Sequence, residues 1–521
     1  MSNSTPLAAA GLISSLLLAA CSCGGPQPCE PAAVNACPDD LVCRPSLEGA
    51  ICQSPETAGR IPSCKDPEAL DVFAAEANQA LSISWVLHAS VDPAEFRVRY
   101  GTGPGQYGAS ASAPADATST VISGLANGTV YFAVVEVLDP NRGVVLRSCE
   151  VFATPHALAF LPDMLVDPST GGIQAAPALA ANLEGTRLFL AFEDSGKVVL
   201  AQSIDFGDTW SIPAPVASGT TQTRPALAVR DAVLDDAGSV VAPELLFITW
   251  VEGGRVLLSQ YTPGSNTFGS PVDLGAGDAP DVAVGGGRVY VASESSGTIA
   301  VRTSAIDPLS FAPVVQVSGS TTQAHAPRLA ARSDGVSVFV AWHALLGSGD
   351  TNIYFAASGD SGSSFGTPIR VDDSPTGQNQ LNVSLAVDQR TGKLYATWED
   401  RRNGADVYFS VSENGGTTWS ANINVGAGLG GDQFRPRAVV DAAGNVYVAL
   451  QDTTNGARVV FSRFNQQGSF DPPLPASTAA GVAGVVADKP TVATDAYGAV
   501  YVAWQENRNG PDTDVFFARA E

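Results

Sequence analysis

The sequence repeats itself seven times after residue 156, and this repetition constrains the fold more than any other feature. Each repeat opens with a segment similar to Pro-x-Leu-Ala-Val, at residues 177, 225, 280, 327, 383, 436 and 490. An apolar segment such as VFVAW or AVYVAW follows, and then a third such as VYFSVS. A weaker fourth segment occurs in six repeats, as in TPIRVDDS. Four short antiparallel strands in each repeat of about 50 residues predict a β-propeller.

The seventh repeat ends after its third strand, VFFARA, so its fourth strand is expected from elsewhere in the chain. Residues 161–167 (LPDMLVD) are similar to TPIRVDD at residues 367–373. We therefore expect this earlier segment to complete the last sheet and to close the ring, which would hide its open edges. Residues 156–521 are predicted to form seven blades, with six as the alternative if one repeat is irregular.

The charge balance argues against a nucleic-acid partner. The 521 residues include 52 Asp and Glu against 28 Lys and Arg, a net charge of −24. Phosphate binding needs clustered cations, and the sequence has no basic patch or tail. The 52 Gly and 35 Pro residues indicate many turns between short strands. The predicted fold class is all-β.

The first 20 residues are typical of an export signal. Residues 5–20 form an apolar run that is too short to span a bilayer, and the run ends in Leu18-Ala19-Ala20-Cys21. This tetrad resembles the lipobox of bacterial lipoproteins, although residues 2–20 lack the Lys or Arg usual in such signals. The resemblance implies cleavage after residue 20 and a membrane anchor on Cys21. It also implies an outer-membrane or cell-surface location, because Ser22 replaces the Asp that signals inner-membrane retention.

Residues 21–63 are predicted to form a Cys-rich stalk or linker. The cysteine spacing lacks the paired C-x2-C of a zinc site, and an exported chain would instead use such cysteines in disulfides. Their pairing cannot be deduced from the sequence. The cysteines after the lipobox are Cys23, Cys29, Cys37, Cys43 and Cys52, with Cys64 at the start of the next segment. No metal site and no cofactor are predicted.

Residues 64–155 read as short alternating strands, among them LSISWVL, FRVRYGTG and TVYFAVVEVLD, which predict an antiparallel sandwich. The segment resembles a fibronectin type III domain. Trp85 stands where that family keeps its core Trp, and Leu125–Tyr131 is similar to its tyrosine corner. The resemblance implies a spacer or a protein-binding module. It also places Cys64 and Cys149 in the first and last strands, where a disulfide between them is expected.

Three repeats carry a sharper motif between their third and fourth strands. SIDFGDTW, SGDSGSSF and SENGGTTW resemble the Asp-boxes of bacterial sialidases and related BNR-repeat propellers. The resemblance implies a structural role on the face opposite an active site, with turn hydrogen bonds, a positive-φ Gly and a packed aromatic ring. The residues that match are Ser203, Asp205, Gly207, Trp210, Ser358, Asp360, Gly362, Phe365, Ser412, Asn414, Gly416 and Trp419.

Charged residues gather at the opposite rim, where each first strand begins and each second strand ends. Sialidases hold a substrate carboxylate there with three Arg, and use a Tyr nucleophile with a Glu and an Asp acid/base. The segment Phe434-Arg435-Pro436 is only faintly similar to the family's F-R-I-P, and no Tyr occupies an evident nucleophile position. The candidate residues are Arg224, Arg435, Arg402, Glu399 and Asp400.

Two functions of different classes follow from these features. The first is a lipid-anchored envelope protein whose rim binds a glycan or protein ligand without catalysis. The alternative is a sialidase-like glycoside hydrolase with a rearranged active site. His325 and His343 are predicted to stand alone, without His or Cys partners, which argues against a transition-metal site.

Overall fold

The computed structural model describes residues 70–520, except 169–171, 235–239, 320, 346–348, 443, 465–467 and 496–497, and omits the side chains of Leu234 and Thr322. It also describes the backbone of four short strands, β1 Gln27–Pro28, β2 Val42–Arg44, β3 Ile51–Gln53 and β4 Ser63–Cys64. The predictions for Cys21, Cys23, Cys29, Cys37, Cys43 and Cys52 lie outside the described side chains. Every regular element in these ranges is a strand, so the all-β prediction is confirmed. No helix in the same ranges is long and apolar enough to cross a membrane.

Residues 63–153 form two antiparallel sheets. The first has the order β4, β5 Leu70–Ala77, β6 Ala80–Leu87 and β9 Ser119–Ser123. The second has the order β11 Val144–Arg147, β10 Tyr131–Leu138, β7 Glu95–Gly101 and β8 Ala109–Pro114, and β12 Val151–Ala153 also pairs with β10. Burial alternates along β7, where Phe96 and Val98 face the core, as a half-buried strand requires.

The core of this sandwich is built around Trp85. Its ring lies 4.9 Å from the Phe96 ring, and its Nε1 donates to the carbonyl of Ala117 at 3.0 Å. The hydroxyl of Tyr131 accepts the N–H of Ala126 at 3.1 Å and so ties the loop before β10 to that strand. Cys149 takes part in a disulfide bond. Because the Cys64 side chain lies outside those described, the pairing of the two stays a prediction.

Seven further sheets follow, one for each repeat. Sheet 1 contains β14 Gln174–Ala181, β15 Leu188–Asp194, β16 Lys197–Ser203 and β17 Ala214–Pro215. Sheet 2 contains β18 Gln222–Arg230, β21 Leu245–Glu252, β22 Arg255–Thr262, β23 Thr267–Phe268 and β24 Val272–Ala276. Sheet 3 contains β25 Asp278–Gly285, β26 Arg288–Ser295, β27 Thr298–Ala305 and β28 Val315–Gln316. A hairpin of β19 Val233–Leu234 and β20 Val240–Ala242 interrupts sheet 2.

The remaining sheets have the same order from first to fourth strand. Sheets 4 to 7 contain β29 Thr322–Ala331, β30 Val338–Leu345, β31 Thr351–Ser358 and β32 Ile369–Arg370; β33 Gln380–Val387, β34 Leu394–Asp400, β35 Asp406–Ser412 and β36 Ile423–Asn424; β37 Gln433–Val440, β38 Val446–Asp452, β39 Arg458–Phe464 and β40 Leu474–Pro475; and β41 Ala487–Thr494, β42 Val500–Glu506, β43 Asp514–Ala520 and β13 Met164–Leu165.

The sheets close into a ring of propeller type. Each first strand contacts the first strand of the next sheet, and β41 of sheet 7 returns to β14 of sheet 1. Sheet 7 takes its outer strand from before the repeats, since Met164 pairs with Phe517 and Leu165 with Phe516. This is the segment that the sequence predicted. At the same junction, Tyr501 and Phe517 of sheet 7 pack on Leu188 of sheet 1.

The three Asp-box turns share one hydrogen-bond pattern. In the first, the Ser203 hydroxyl donates to Asp205 at 2.7 Å and accepts the N–H of Gly207 at 2.8 Å. The Trp210 ring lies edge-on to Phe517 of the neighbouring sheet, with centroids 5.1 Å apart. The turns of sheets 4 and 5 repeat the two serine bonds. These turns therefore join the third strand of one sheet to its neighbour, and they lie away from the ends where the first strands begin.

The sandwich contacts the ring at sheets 5 and 6. The guanidinium of Arg390 lies 4.6 Å from the centre of the Phe73 ring and donates to the Ser84 hydroxyl at 3.0 Å. Arg463 donates to the carbonyl of Glu76 at 3.1 Å. The Glu76 carboxylate in turn contacts His156, in the segment that joins the two parts, at 3.0 Å.

Candidate functional site

The first strand of every sheet contains a bulge close to its start, where the pairing register with the second strand shifts. At each bulge one residue other than Gly has a positive φ, between 46° and 56°. Such a conformation costs about 1–2 kcal/mol for an L-residue, so the surrounding contacts must hold it. These residues are Ala176, Arg224, Ala279, Ala326, Asn382, Arg435 and Lys489, together with Gln323 at a second bulge in β29.

Side chains from the preceding sheet hold several of these bulges. Glu193 at the end of β15 accepts the N–H of Arg224 at 2.9 Å. Glu399 at the end of β34 accepts the N–H of Arg435 at 2.8 Å and the side-chain amide of Asn382 at 2.7 Å. Glu193 and Glu399 are therefore hydrogen-bonded to the backbone of the next sheet in the ring.

The bulges surround a cavity of about 880 Å³ that is lined by residues from the first strands of all seven sheets. This volume is within the usual range of small-molecule sites. The lining includes five basic and three acidic side chains. They are Arg224, Arg328, Arg435, Arg437 and Lys489, and Glu193, Asp278 and Asp281.

Arg437 is one of two cations in this set without a carboxylate partner in the described part of the chain, and Lys489 is the other. Nη1 of Arg437 donates to the carbonyl of Pro436 at 2.9 Å, and this side chain forms no ion pair within the described residues. Burial, followed by the charge of Arg328, lowers the pKa of Arg437 to about 9. Because a nearby anion would favour the charged guanidinium, this side chain is suited to accept one.

Three other cations of the cavity have carboxylate neighbours. Arg224 pairs with Asp278 at 3.2 Å, and Arg435 pairs with Asp488. Arg328 lies 3.7 Å from Asp281. Burial raises the pKa of Asp281, against the opposing charge of Arg328.

Arg402 and Asp400 lie apart from this cavity, so Arg402 does not join Arg224 and Arg435 in a triad there. Arg402 donates to Asp400 at 2.8 Å and to Asp373 at 2.7 Å, and its guanidinium stacks 4.2 Å from the Tyr408 ring. Asp400 also accepts the indole N–H of Trp398 at 3.1 Å. The ion pair thus braces the outer part of sheet 5.

Five charged or amide residues of the cavity were missed in the sequence: Asp278, Asp281, Arg328, Asn382 and Arg437. Three of them occupy one column of the repeat, directly after the opening Pro. The column contains Ala178, Ala226, Asp281, Arg328, Ser384, Arg437 and Thr491. The charged residues in this column, which otherwise holds small residues, were a signal in the sequence that the column is functional. The sequence did not show the bulge that turns the column toward the cavity.

No family model matches this chain. No curated protein matches it either. Solved structures do resemble it. A protein of unknown function from Dyadobacter fermentans has 14% identity and a TM-score of 0.46, and the match covers 70% of this chain and 99% of the other. An α-L-arabinanase of Penicillium chrysogenum has 12% identity and a TM-score of 0.39, covering 69% and 98%. The Hadza microbial sialidase Hz136 has 11% identity and a TM-score of 0.37, covering 88% and 98%. At TM-scores below 0.5, these likenesses carry no argument about activity.

Proposed function

We propose that this chain is a non-catalytic binding protein of the cell envelope that takes an anionic glycan in its central cavity. In this proposal the ring is a seven-bladed propeller and the sandwich is a fibronectin type III-like domain. A lipid on Cys21 anchors the chain at the outer membrane or cell surface. The binding of a protein ligand at the same rim is the alternative within this class.

The proposal rests on the difference in charge between the cavity and the whole chain. The chain has a net charge of −24, yet five cations and three carboxylates line this one cavity. Walls of low dielectric strengthen the field of such a cluster and favour a ligand of opposite charge. Guanidinium groups match a carboxylate or a sulfate through paired N–H donors.

The state of the carboxylates favours binding over catalysis. Glu193 and Glu399 accept backbone N–H groups of the bulges, and Asp278 pairs with Arg224. Each is thus committed to a contact that maintains the ring. Hydrolysis of a glycoside in the usual manner needs an acid and a second carboxylate that are both available to the substrate.

Asp281 supports the alternative, a sialidase-like glycoside hydrolase with a rearranged site. It lines the cavity and burial raises its pKa, which is the property required of a general acid at neutral pH. Arg437 and Arg328 would then hold the substrate carboxylate beside it.

Binding is tested by calorimetry with the full chain and uronate- or sialate-containing oligosaccharides. Methyl esters of the same sugars serve as ligand controls. We expect binding to the acids, little to the esters, and a loss of about tenfold or more for Arg437→Ala, equivalent to about 1.4 kcal/mol. Arg142→Ala is the matched control, because that side chain is 82% exposed on the sandwich. Equal affinity for acid and ester would contradict the proposal.

Turnover of a fluorogenic sialoside separates the two functions. The binding protein is expected to release no fluorophore. Turnover that is lost in both Arg435→Ala and Asp281→Asn would establish the hydrolase instead.

A further inference from the structure

Two histidines face each other on neighbouring strands of sheet 4. His325 of β29 is directly opposite His343 of β30 in the antiparallel pairing. Their ring centroids lie 5.8 Å apart, with planes inclined at 42°. The expectation that these histidines stand alone is therefore wrong, because strand pairing brings together residues that the sequence separates.

A carboxylate of the neighbouring sheet orients the first ring. Glu294 Oε1 lies 3.3 Å from Nδ1 of His325, and its Oε2 accepts the N–H of Ala326 at 2.6 Å. A carboxylate fixed in this way favours the tautomer with the proton on Nδ1, which leaves a lone pair on Nε2. Metal-binding histidines commonly have this second contact.

The second ring is partly buried. Its Nδ1 has no hydrogen-bond partner within the described residues. A neutral imidazole with an unused nitrogen is the form that binds a metal ion.

We propose that His325 and His343 form a two-imidazole site for a divalent transition-metal ion, with Glu294 as the carboxylate that orients His325. Imidazole suits Zn²⁺, Cu²⁺ and Ni²⁺. The described part of the chain holds no group of three or more His, Cys, Asp or Glu side chains with metal-binding geometry. The remaining coordination positions are therefore filled by water or by a ligand. This inference does not depend on the proposed glycan binding.

The chain has four histidines in all, which makes the test simple. Tag-free full chain is titrated with NiCl₂ by calorimetry, and so are single Ala variants of His325, His343, His88 and His156. We expect one equivalent of Ni²⁺ to bind through the pair. Replacement of either member should weaken this binding about tenfold or more, and the other two variants should bind as the wild type does. Unchanged binding in both His325→Ala and His343→Ala would overturn the proposal.

A measurement on the unmodified chain guards against variants that fail to fold. Diethyl pyrocarbonate modifies accessible imidazoles, and the modified residues are located by mass spectrometry. Ni²⁺ is expected to protect His325 but not His88 or His156. The Glu294→Gln variant should weaken Ni²⁺ binding less than loss of a ligand does. Modification of His325 at an equal rate with and without Ni²⁺ would refute the site.

Discussion

Arg508 and Asp163, 345 residues apart in the chain, form a bidentate ion pair in sheet 7, where the ring closes. The N–O distances are 3.1 Å and 2.5 Å, and the same guanidinium stacks 4.0 Å from the ring of Phe516. It also contacts Glu506, whose side chain is fully buried and accepts the indole N–H of Trp504 at 2.8 Å. The closure of the ring therefore depends on one cation that neutralises two buried carboxylates.

Arg508→Ala is expected to reduce the free energy of unfolding of the ring by about 3–5 kcal/mol, because it leaves both carboxylates buried without a cation to neutralise them. Chemical denaturation followed by Trp fluorescence measures the loss. Arg255→Ala is the control, since that arginine and its partner Asp273 are about half exposed, and a much smaller change is expected there. Similar losses in the two variants would argue against the closure role.

Gly207→Ala tests whether the Asp-box turn can tolerate a side chain. Gly207 has a φ of 92°, and an added Cβ would lie 2.3 Å from the ring of Phe517. Backbone strain and overpacking together should cost about 2–5 kcal/mol. Gly254→Ala is the matched control, because its φ is 73° with no atom within 4 Å of the added Cβ. Its cost should stay near 1–2 kcal/mol, and equal melting temperatures for the two variants would count against this explanation.

The contact between His156 and Glu76 is expected to make stability depend on pH. Burial opposes the charge on His156, but the hydrogen bond and the charge of Glu76 outweigh it, so the pKa is raised. The stabilisation is therefore fully present below the unfolded value of about 6.5 and is lost as the pH rises through the folded value. Melting temperatures measured from pH 5.5 to 8.5 should show this decline in the wild type and a weaker one in His156→Gln. Parallel curves would contradict it.

Arg437→Met should separate stability from binding. The charged guanidinium of Arg437 is held in the cavity at a cost, as its lowered pKa indicates. An apolar side chain of similar length is expected to raise the free energy of unfolding by about 0.5–2 kcal/mol while abolishing binding of an anionic sugar. Thermal denaturation and calorimetry on the same preparation provide both measurements. An Arg437→Met variant that is less stable than the wild type and still binds the anionic sugar would contradict this prediction.

Sequence periodicity predicted the strands, their order and the segment around Met164 that completes sheet 7, because each depends on local pattern and on repetition. The Asp-box turns were equally accessible, since Ser203, Asp205 and Gly207 interact within five residues. Such features need no knowledge of how separate sheets are oriented.

The cavity was less predictable because its geometry depends on the bulges. A bulge changes which face a side chain occupies, so Arg437 and Asp281 reach the cavity from positions that a regular strand would assign differently. Arg402 was misplaced for another reason. Its rotamer is decided by Asp400 and by the Tyr408 ring, which a rim position alone does not specify. The His325–His343 contact required the exact register of two strands.

The supply of the outer strand of sheet 7 from residues 164–165 has a consequence for synthesis on the ribosome. The earliest strand of the ring is made before any repeat, while its partner β43 is the last. At about 5–20 residues per second, the intervening residues take roughly 20–70 s to translate. During that interval β13 has no partner, because β43 has not yet been made. The ring therefore cannot close before β43 is complete, whichever compartment the chain folds in.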